Sequence, residues 1–179
     1  MRQVVAKRAL TAHPTTPPRA IERVGVKLSR GARGTWLVEF VVTGAIDQLV
    51  VPAPSAPERA DNLWQTTCFE LFVRPGEGDF YTEYNWSPSG RWAAYAFDGY
   101  RTAMRDLPEA SAPVIEIERT PMRFALEVAI DLSMLPGGDW TLGVSAPIEE
   151  IDGTKSFWAL AHPSPEPDFH NVRGFTLAV

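Results

Sequence analysis

The chain of 179 residues is 45% hydrophobic and 22% charged, with 16 prolines, six tryptophans and one cysteine. This length suits a single domain, residues 1–179, whose hydrophobic core needs no covalent cross-links. The single cysteine excludes an intrachain disulfide framework and any cysteine-rich metal site. The net charge of −5 argues against nucleic acid as a partner, since proteins that bind a duplex carry a basic surface.

The distribution of apolar residues along the chain gives expectations about membrane association and cellular location. No run of 18 or more apolar residues is present, so no membrane-spanning helix is expected. Gln3, Lys7 and Arg8 interrupt the first apolar residues, and this pattern differs from that of a secretory signal. We therefore expect a cytoplasmic protein with no membrane partner.

Short apolar or alternating segments recur along the chain between turn residues, and helical periodicity is nearly absent. This pattern is typical of an all-β protein. We predict a two-sheet antiparallel β-sandwich with about 10–12 strands. In chain order the predicted strands are residues 3–9, 24–29, 35–43, 48–51, 67–74, 80–86, 91–97, 114–118, 122–131, 140–146, 156–162 and 174–179.

A hairpin around Ser87-Pro88-Ser89-Gly90 is the clearest local signal. Proline suits the second position of a turn and glycine the fourth. If these four residues form the loop, Asn85 pairs with Trp92, and the period of two along a strand assigns side chains to faces. The predicted core face carries Phe80, Tyr84, Trp86, Tyr95 and Phe97. The predicted ligand face carries Tyr81, Glu83, Asn85, Trp92, Ala94 and Ala96.

Carboxylates and tryptophans supply the candidate ligand contacts. By the same alternation Glu70 shares a face with Glu83, either as a pair of the kind that glycoside hydrolysis uses or as acceptors on a solvated face. Trp64 lies in a polar stretch and Trp92 on the predicted ligand face, where a flat ring can stack on a sugar. The predicted core tryptophans are Trp36, Trp140 and Trp158.

Catalytic motifs are missing from the sequence. There is no glycine-rich phosphate loop, zinc-protease helix or serine-hydrolase elbow. We therefore expect binding and not catalysis. The alternative is a metal-assisted enzyme acting on a small metabolite through His162, Asp168 and His170, because two histidines and a carboxylate can form an open metal site. The competing interpretation, which we favour, is structural: His162 bonds a backbone carbonyl at a strand end, and His170 fixes the loop.

Five segments together resemble bacterial DOMON-like proteins, which are related in fold to family 9 carbohydrate-binding modules. The segments are 63–72 (LWQTTCFELF), 81–95 (YTEYNWSPSGRWAAY), 97–101 (FDGYR), 158–163 (WALAHP) and 167–170 (PDFH). The resemblance implies a jelly-roll-like sandwich that binds sugar or haem. Haem-binding relatives use a methionine with a histidine or lysine. Met104 and Met122 lie in no motif that aligns, so we expect no haem cofactor.

Sugar-binding relatives clamp the ligand between two tryptophans beside polar and acidic groups. The resemblance therefore implies a ligand site on the face that carries the acidic and amide side chains, with Arg101 at its rim able to grip a carboxylate or phosphate. We expect a non-enzymatic domain that binds a carbohydrate or a similar polar metabolite. A haem-binding domain and a protein-interaction domain with exposed aromatics are further alternatives. The expected ligand-binding residues are Trp64, Glu70, Glu83, Asn85, Trp92, Tyr100 and Arg101.

Overall fold

The computed structural model describes residues 2–108 and 110–179, which form an all-β structure with four 3-10 turns. Each turn has three residues: Ala32–Gly34, Ile46–Gln48, Leu63–Gln65 and Val172–Gly174. The strands of this part of the chain are β1 (Gln3–Ala12), β2 (Ile21–Arg30), β3 (Thr35–Gly44), β4 (Phe69–Pro75), β5 (Tyr81–Trp86), β6 (Trp92–Phe97), β7 (Arg105–Asp106), β8 (Val114–Thr120), β9 (Arg123–Asp131), β10 (Trp140–Glu149), β11 (Lys155–Ala159) and β12 (Leu177–Ala178).

Nearly all predicted strands overlap an observed one, and the exceptions have a physical reason. The strand predicted over 48–51 is wrong, because the chain there begins with a 3-10 turn and only Leu49 makes a bridge, to Glu150. Ile46 and Leu49 are each buried, but they do not belong to a strand that pairs along its length. Strand β7 was missed because its two residues are both exposed and carry no apolar pattern.

The strands form one continuous, curled sheet, in the order β7-β6-β5-β4-β10-β11-β1-β2-β3-β9-β8, with β12 also paired to β10. All pairs between these strands are antiparallel, as expected. The expected division into two separate sheets is corrected. Strand β1 pairs with β2 from Gln3 to Leu10 and with β11 at Thr11 and Ala12, so its length joins the two halves.

The main core lies between the two halves of the curled sheet. Phe69 of β4 lies with its ring centre 4.9 Å from that of Phe40 on β3 and 6.0 Å from that of Phe124 on β9. Alternation along β9 places four apolar members of the strand on one face, and all four are buried in this core. These members are Phe124, Leu126, Val128 and Ile130. Contact between aromatic rings from distant strands therefore closes the sheet on itself.

The opposite, outer face of β4, β5 and β6 carries a second, smaller apolar cluster, formed by Phe72, Tyr81, Ala93, Tyr95, Phe97 and Phe175. Phe175 comes from the segment after β11, which turns back over the sheet. Gly143 of β10 makes this possible, because a Cβ atom there would lie 2.4 Å from the ring of Phe175. Strands β4 to β6 are therefore covered on both faces.

The register of the β5–β6 hairpin differs from the predicted one by one residue. Trp86 pairs with Trp92 and Glu83 with Tyr95, and the amide of Ser87 donates to the carbonyl of Arg91 over 2.9 Å. Gly90 takes a φ of 94°, which is typical of a hairpin loop that contains one extra residue. Because a shift of one residue exchanges the two faces of a strand, β6 is reversed relative to the prediction.

The consequence of this register is confined to β6. Trp92 and Ala94 face the main core, whereas Tyr95 and Phe97 belong to the outer cluster. The predicted faces of Tyr84, Trp86, Glu83 and Asn85 on β5 are not altered.

No helix within residues 2–108 and 110–179 has the length and apolar character to cross a membrane.

Replacing Phe69 tests the contact between the two halves. We expect Phe69→Ala to lower the free energy of unfolding by roughly 3–5 kcal/mol, because it removes a fully buried ring and leaves a cavity. Urea unfolding measures the change. Met122→Ala, at a position with 60% exposure, is the control and should stay within about 0.5 kcal/mol of the parent. A loss below about 1 kcal/mol in Phe69→Ala would contradict this account of the core.

Candidate functional site

A cavity of about 830 Å³ opens on the outer face of β4, β5 and β6. Its size lies within the range of roughly 300–1,000 Å³ that is common for small-molecule sites. The sheet forms its floor, and the loops after β6 and before β4, together with the C-terminal segment, form its walls. The lining residues are Asp61, Asn62, Trp64, Glu70, Phe72, Glu83, Asn85, Tyr95, Phe97, Arg101, Met104, Arg105, Asp106, Pro147, Phe157, Pro167, Phe169 and His170.

Strand register brings the polar floor together. Glu70 of β4 lies opposite Asn85 of β5 and opposite Ser145 of β10, while Glu83 lies opposite Phe72 and Tyr95. Side chains of directly paired residues project to the same side of a sheet. The two carboxylates and the amide therefore converge on one face, where Glu70 is 2% and Glu83 is 6% exposed.

Hydrogen bonds hold this floor in place. The hydroxyl of Ser145 donates to Oε2 of Glu70 over 2.6 Å, and Nδ2 of Asn85 donates to Oε1 of Glu83 over 2.8 Å. Oδ1 of Asn85 is buried and accepts no hydrogen bond from the described part of the chain. Buried polar atoms are usually satisfied, so this acceptor at the floor of a cavity is available to a ligand.

Burial sets the protonation of the two carboxylates. It raises the pKa of Glu70, and the negative charge of Glu83 raises it further, against the hydrogen bond from Ser145 and the charge of Arg101. Burial also raises the pKa of Glu83, opposed by the hydrogen bond from Asn85 and by Arg101. Because two like charges in a buried site disfavour each other, the pair holds a proton near neutral pH.

A hydrogen-bond chain orients His170, whose ring lies beside Glu83. The backbone amide of Arg101 donates to the hydroxyl of Tyr81 over 3.2 Å, and that hydroxyl lies 2.9 Å from Nδ1 of His170. The hydroxyl can then donate to Nδ1, which assigns the ring proton to Nε2, 3.6 Å from Oε2 of Glu83. Burial and the nearby Arg101 charge lower the pKa of His170 to about 4, so the ring is neutral at pH 7.

Asp168 fastens the rim of the cavity. Its carboxylate accepts hydrogen bonds from the hydroxyl of Tyr100 over 2.8 Å and from Nη2 of Arg101 over 3.0 Å. Burial alone would raise the pKa of Asp168, but the hydrogen bonds from Tyr100 and Arg101 lower it below its ordinary value. Arg101 and Ala103 adopt φ values of 50° and 51°, which are strained for residues other than glycine. Asp168 therefore holds a strained loop against the C-terminal segment.

Aromatic side chains form much of the wall. Trp64 is 51% exposed and lies in the turn before β4. The hydroxyl of Tyr95 donates to Asp61 over 2.6 Å, which fixes its ring between the floor and the loop. Phe157 of β11 contacts Phe169 of the C-terminal segment, with ring centres 6.0 Å apart. The cavity thus combines flat apolar walls with a polar floor.

The structure brings together only part of the expected ligand site. Trp64, Glu70, Glu83, Asn85 and Arg101 line the cavity. Trp92 does not, because the extra loop residue turns it into the main core, where Arg59 lies over its ring at 4.5 Å. Tyr100 is 57% exposed and contacts Asp168 beside the cavity without lining it.

Several lining residues were not predicted. Phe72 follows from the same alternation as Glu70 and could have been found. Tyr95 and Phe97 required the correct hairpin register. Phe157 and Phe169 carry no local signal, since they reach the cavity only through the path of the C-terminal segment.

The residues considered for a metal or haem have the following neighbours in the structure. Nε2 of His162 lies 2.7 Å from the carbonyl of Thr11, both oxygens of Asp168 accept hydrogen bonds, and both nitrogens of His170 face partners. Among residues 2–108 and 110–179, no group of three or more His, Cys, Asp and Glu side chains is arranged to hold a metal ion. Met104 lines the cavity, whereas Met122 lies in the turn between β8 and β9.

Comparison with known proteins relates the fold to one solved structure. No family model matches the chain, and no curated protein matches it either. A crystal structure from Bacteroides uniformis, named a "putative carbohydrate-binding protein", has a TM-score of 0.70 and 15% identity over 94% of this chain and 83% of that chain. At that identity the likeness shows a shared fold.

A family 9 carbohydrate-binding module from Caldicellulosiruptor kristjanssonii, solved with cellotriose, is a more distant match. Its TM-score is 0.42 and its identity 12%, over 82% of this chain and 73% of that one. A TM-score this low carries no weight for the fold or for the site.

The buried carboxylates make a testable contribution to stability. Folding raises the pKa of Glu70, so between roughly pH 5 and pH 8 the folded protein binds more protons than the unfolded chain and loses stability as the pH rises. We expect Glu70→Gln to remove part of this loss. Over that range the decrease in the free energy of unfolding should be smaller in the variant than in the parent, by roughly 1–3 kcal/mol.

Urea unfolding at several pH values measures this difference. Glu116→Gln, on the exposed strand β8, is the matched control and should follow the parent. Equal pH dependence in the parent and in Glu70→Gln would show that burial of Glu70 does not perturb its carboxyl group.

Proposed function

We propose that this chain is a non-enzymatic binding domain that takes a carbohydrate into the outer-face cavity. The observation that carries the proposal is the combination of a buried polar floor with aromatic walls in one cavity of about 830 Å³. A sugar ring presents apolar C–H faces and a belt of hydroxyl groups. Flat aromatic rings can stack on the C–H faces, and precisely placed polar groups can form hydrogen bonds with the hydroxyl groups.

The floor supplies the orientation that such a ligand needs. Glu70, Glu83 and Asn85 line a space large enough for a sugar, and Oδ1 of Asn85 has no hydrogen-bond partner among the described residues. Hydrogen bonds donated by Ser145 to Glu70 and by Asn85 to Glu83 keep these groups fixed before a ligand arrives. A preformed floor reduces the entropy lost on binding.

The walls supply the stacking surface. Trp64 is the most exposed aromatic ring of the lining, at 51%, and it stands where a ligand would enter. We infer that it replaces Trp92 as the main stacking group, since Trp92 is buried in the main core. The fold shared with the Bacteroides uniformis protein supports the same class of function. We also propose the DOMON-like relationship, and we propose that neither nucleic acid nor a membrane is a partner.

Binding calorimetry against a panel of mono- and oligosaccharides tests the proposal. We expect saturable heat for at least one sugar and an affinity about tenfold or more lower in Trp64→Ala, which removes the exposed stacking ring. The variant should fold, because more than half of the Trp64 surface is already in solvent.

Ile151→Ala is the matched control, since Ile151 is 62% exposed and lies in the turn between β10 and β11. Its affinity should equal that of the parent. If no sugar in the panel gives heat, or if Trp64→Ala and Ile151→Ala bind alike, carbohydrate binding in this cavity is wrong.

A second candidate is hydrolysis of a glycosidic bond, which the converging Glu70 and Glu83 favour. Glycoside hydrolases use two carboxyl groups, one of which is kept protonated by its surroundings, and burial raises the pKa of both here. Incubating the protein with each oligosaccharide that binds and measuring new reducing ends separates the two functions. Release that depends on both carboxylates would indicate an enzyme, and intact oligosaccharide would indicate binding alone.

A further inference from the structure

The charges that line the cavity are unbalanced. Four carboxyl groups line it, from Asp61, Glu70, Glu83 and Asp106, against two guanidinium groups, from Arg101 and Arg105. Both guanidinium groups are already paired with carboxylates outside the lining. Arg101 lies 3.0 Å from Asp168, and Arg105 lies 2.8 Å from Asp98. The cavity therefore offers more negative than positive groups to a ligand.

The two buried carboxyl groups have no cationic partner in direct contact, and the charge of Arg101 acts on both from a greater distance. Within the described residues, no lysine or arginine nitrogen approaches either Glu70 or Glu83 to within 4.0 Å. The nearest basic group to Glu83 is His170 at 3.6 Å, and its lowered pKa keeps it neutral. Buried carboxylates are normally paired, so a cationic ligand would supply what the chain does not.

Once the proton of the carboxyl pair has left, the free hydrogen-bonding atoms at the floor are all acceptors. Oδ1 of Asn85 is buried without a partner, and Oε1 of Glu70 receives no hydrogen bond from the described part of the chain. A protonated amine carries three donors and no acceptor. It matches this arrangement better than a hydroxyl group, which brings its own acceptor into the same space.

The aromatic lining suits a positive charge as well as a sugar face. Tyr95 lies opposite Glu83 in the strand register, and Phe97 is on the same face of β6. The faces of aromatic rings attract cations, more strongly when water is excluded. A carboxylate pair beside aromatic rings therefore favours an ammonium group over a neutral one.

We propose that the ligand is an amino sugar, whose protonated amine lies against Glu70, Glu83 and Asn85. The inference rests on the proposed carbohydrate function and narrows its ligand class. Neutral and acidic sugars of the same shape bind more weakly, because they leave the carboxyl pair without a counter-charge or add a like charge to it. An N-acetylated sugar binds as weakly as the neutral sugars, because its amide carries no charge.

Proton release accompanies this binding. When the ammonium group enters, it stabilises the ionised form of the carboxyl pair, and the proton that the pair holds near neutral pH passes to the buffer. The other titratable groups that face the pair are Cys68, Tyr81, Tyr95, Arg101 and His170, with Asp61, Arg105 and Asp106 farther along the lining.

Calorimetry at pH 7 with matched sugars tests the inference. The probes are glucosamine, glucose, N-acetylglucosamine and glucuronic acid, each also as its β-1,4-linked trisaccharide. We expect the glucosamine compounds to bind at least about tenfold more tightly than the other three. Repeating the titration in buffers of different ionisation enthalpy should show about one proton released for each glucosamine ligand bound.

Two variants assign the selectivity to the carboxyl pair. Glu70→Gln and Glu83→Gln should each reduce the preference for glucosamine over glucose to less than about threefold and suppress proton release. Glu116→Gln, on exposed β8, is the matched control and should keep the preference of the parent.

The outcomes separate this inference from the function on which it rests. Equal or tighter binding of a neutral or acidic sugar overturns the amino-sugar inference and leaves carbohydrate binding in place. Binding of no saccharide overturns both. A preference for glucosamine that survives in both glutamine variants overturns the role given to the carboxyl pair. The preference is a ratio of two affinities within one variant, so it can be measured in any variant that still binds a sugar.

Discussion

The coverage of β4, β5 and β6 on both faces is the constraint on which the rest of the structure depends. Alternate side chains of these strands point in opposite directions. Phe69 and Leu71 therefore fill the main core, while Glu70 and Phe72 enter the outer face under the C-terminal segment. An uncovered outer face would leave the carboxylates in water at ordinary pKa values. Coverage buries them and gives the cavity its electrostatic character.

Burying two carboxyl groups side by side is unfavourable for folding, since ionised groups lose solvation and repel each other. The chain offsets the cost in part, through Ser145 on Glu70 and Asn85 on Glu83. It leaves an amide acceptor unsatisfied and places no lysine or arginine of the described chain beside the pair. Apolar residues at these positions would serve stability better. Local rules are most often broken at functional sites, and the break here coincides with the cavity.

The C-terminal segment turns a sheet surface into a cavity. Phe175 packs on the strand at Gly143, Asp168 ties the loop after β6, and His170 reaches the carboxyl pair. These contacts join residues that lie 32, 67 and 87 positions apart along the chain. Residues 167–170 belong to the segments that carry the resemblance, and the sequence also offered a metal role for His162, Asp168 and His170. Their hydrogen bonds instead fix the loop and the ring orientation around the ligand space.

The sequence by itself determined most strands and the faces of β4, β5 and β9, because alternation with a period of two is a local property of each strand. It therefore placed Glu70, Glu83 and Asn85 on one side without knowledge of the fold. Tertiary structure decided what local patterns do not contain. One extra loop residue reversed β6, sending Trp92 into the core and Tyr95 to the cavity. The continuity of the sheet through β1 and the arrival of Phe157, Phe169 and His170 at the cavity depend on packing between distant segments, which no short stretch of sequence encodes.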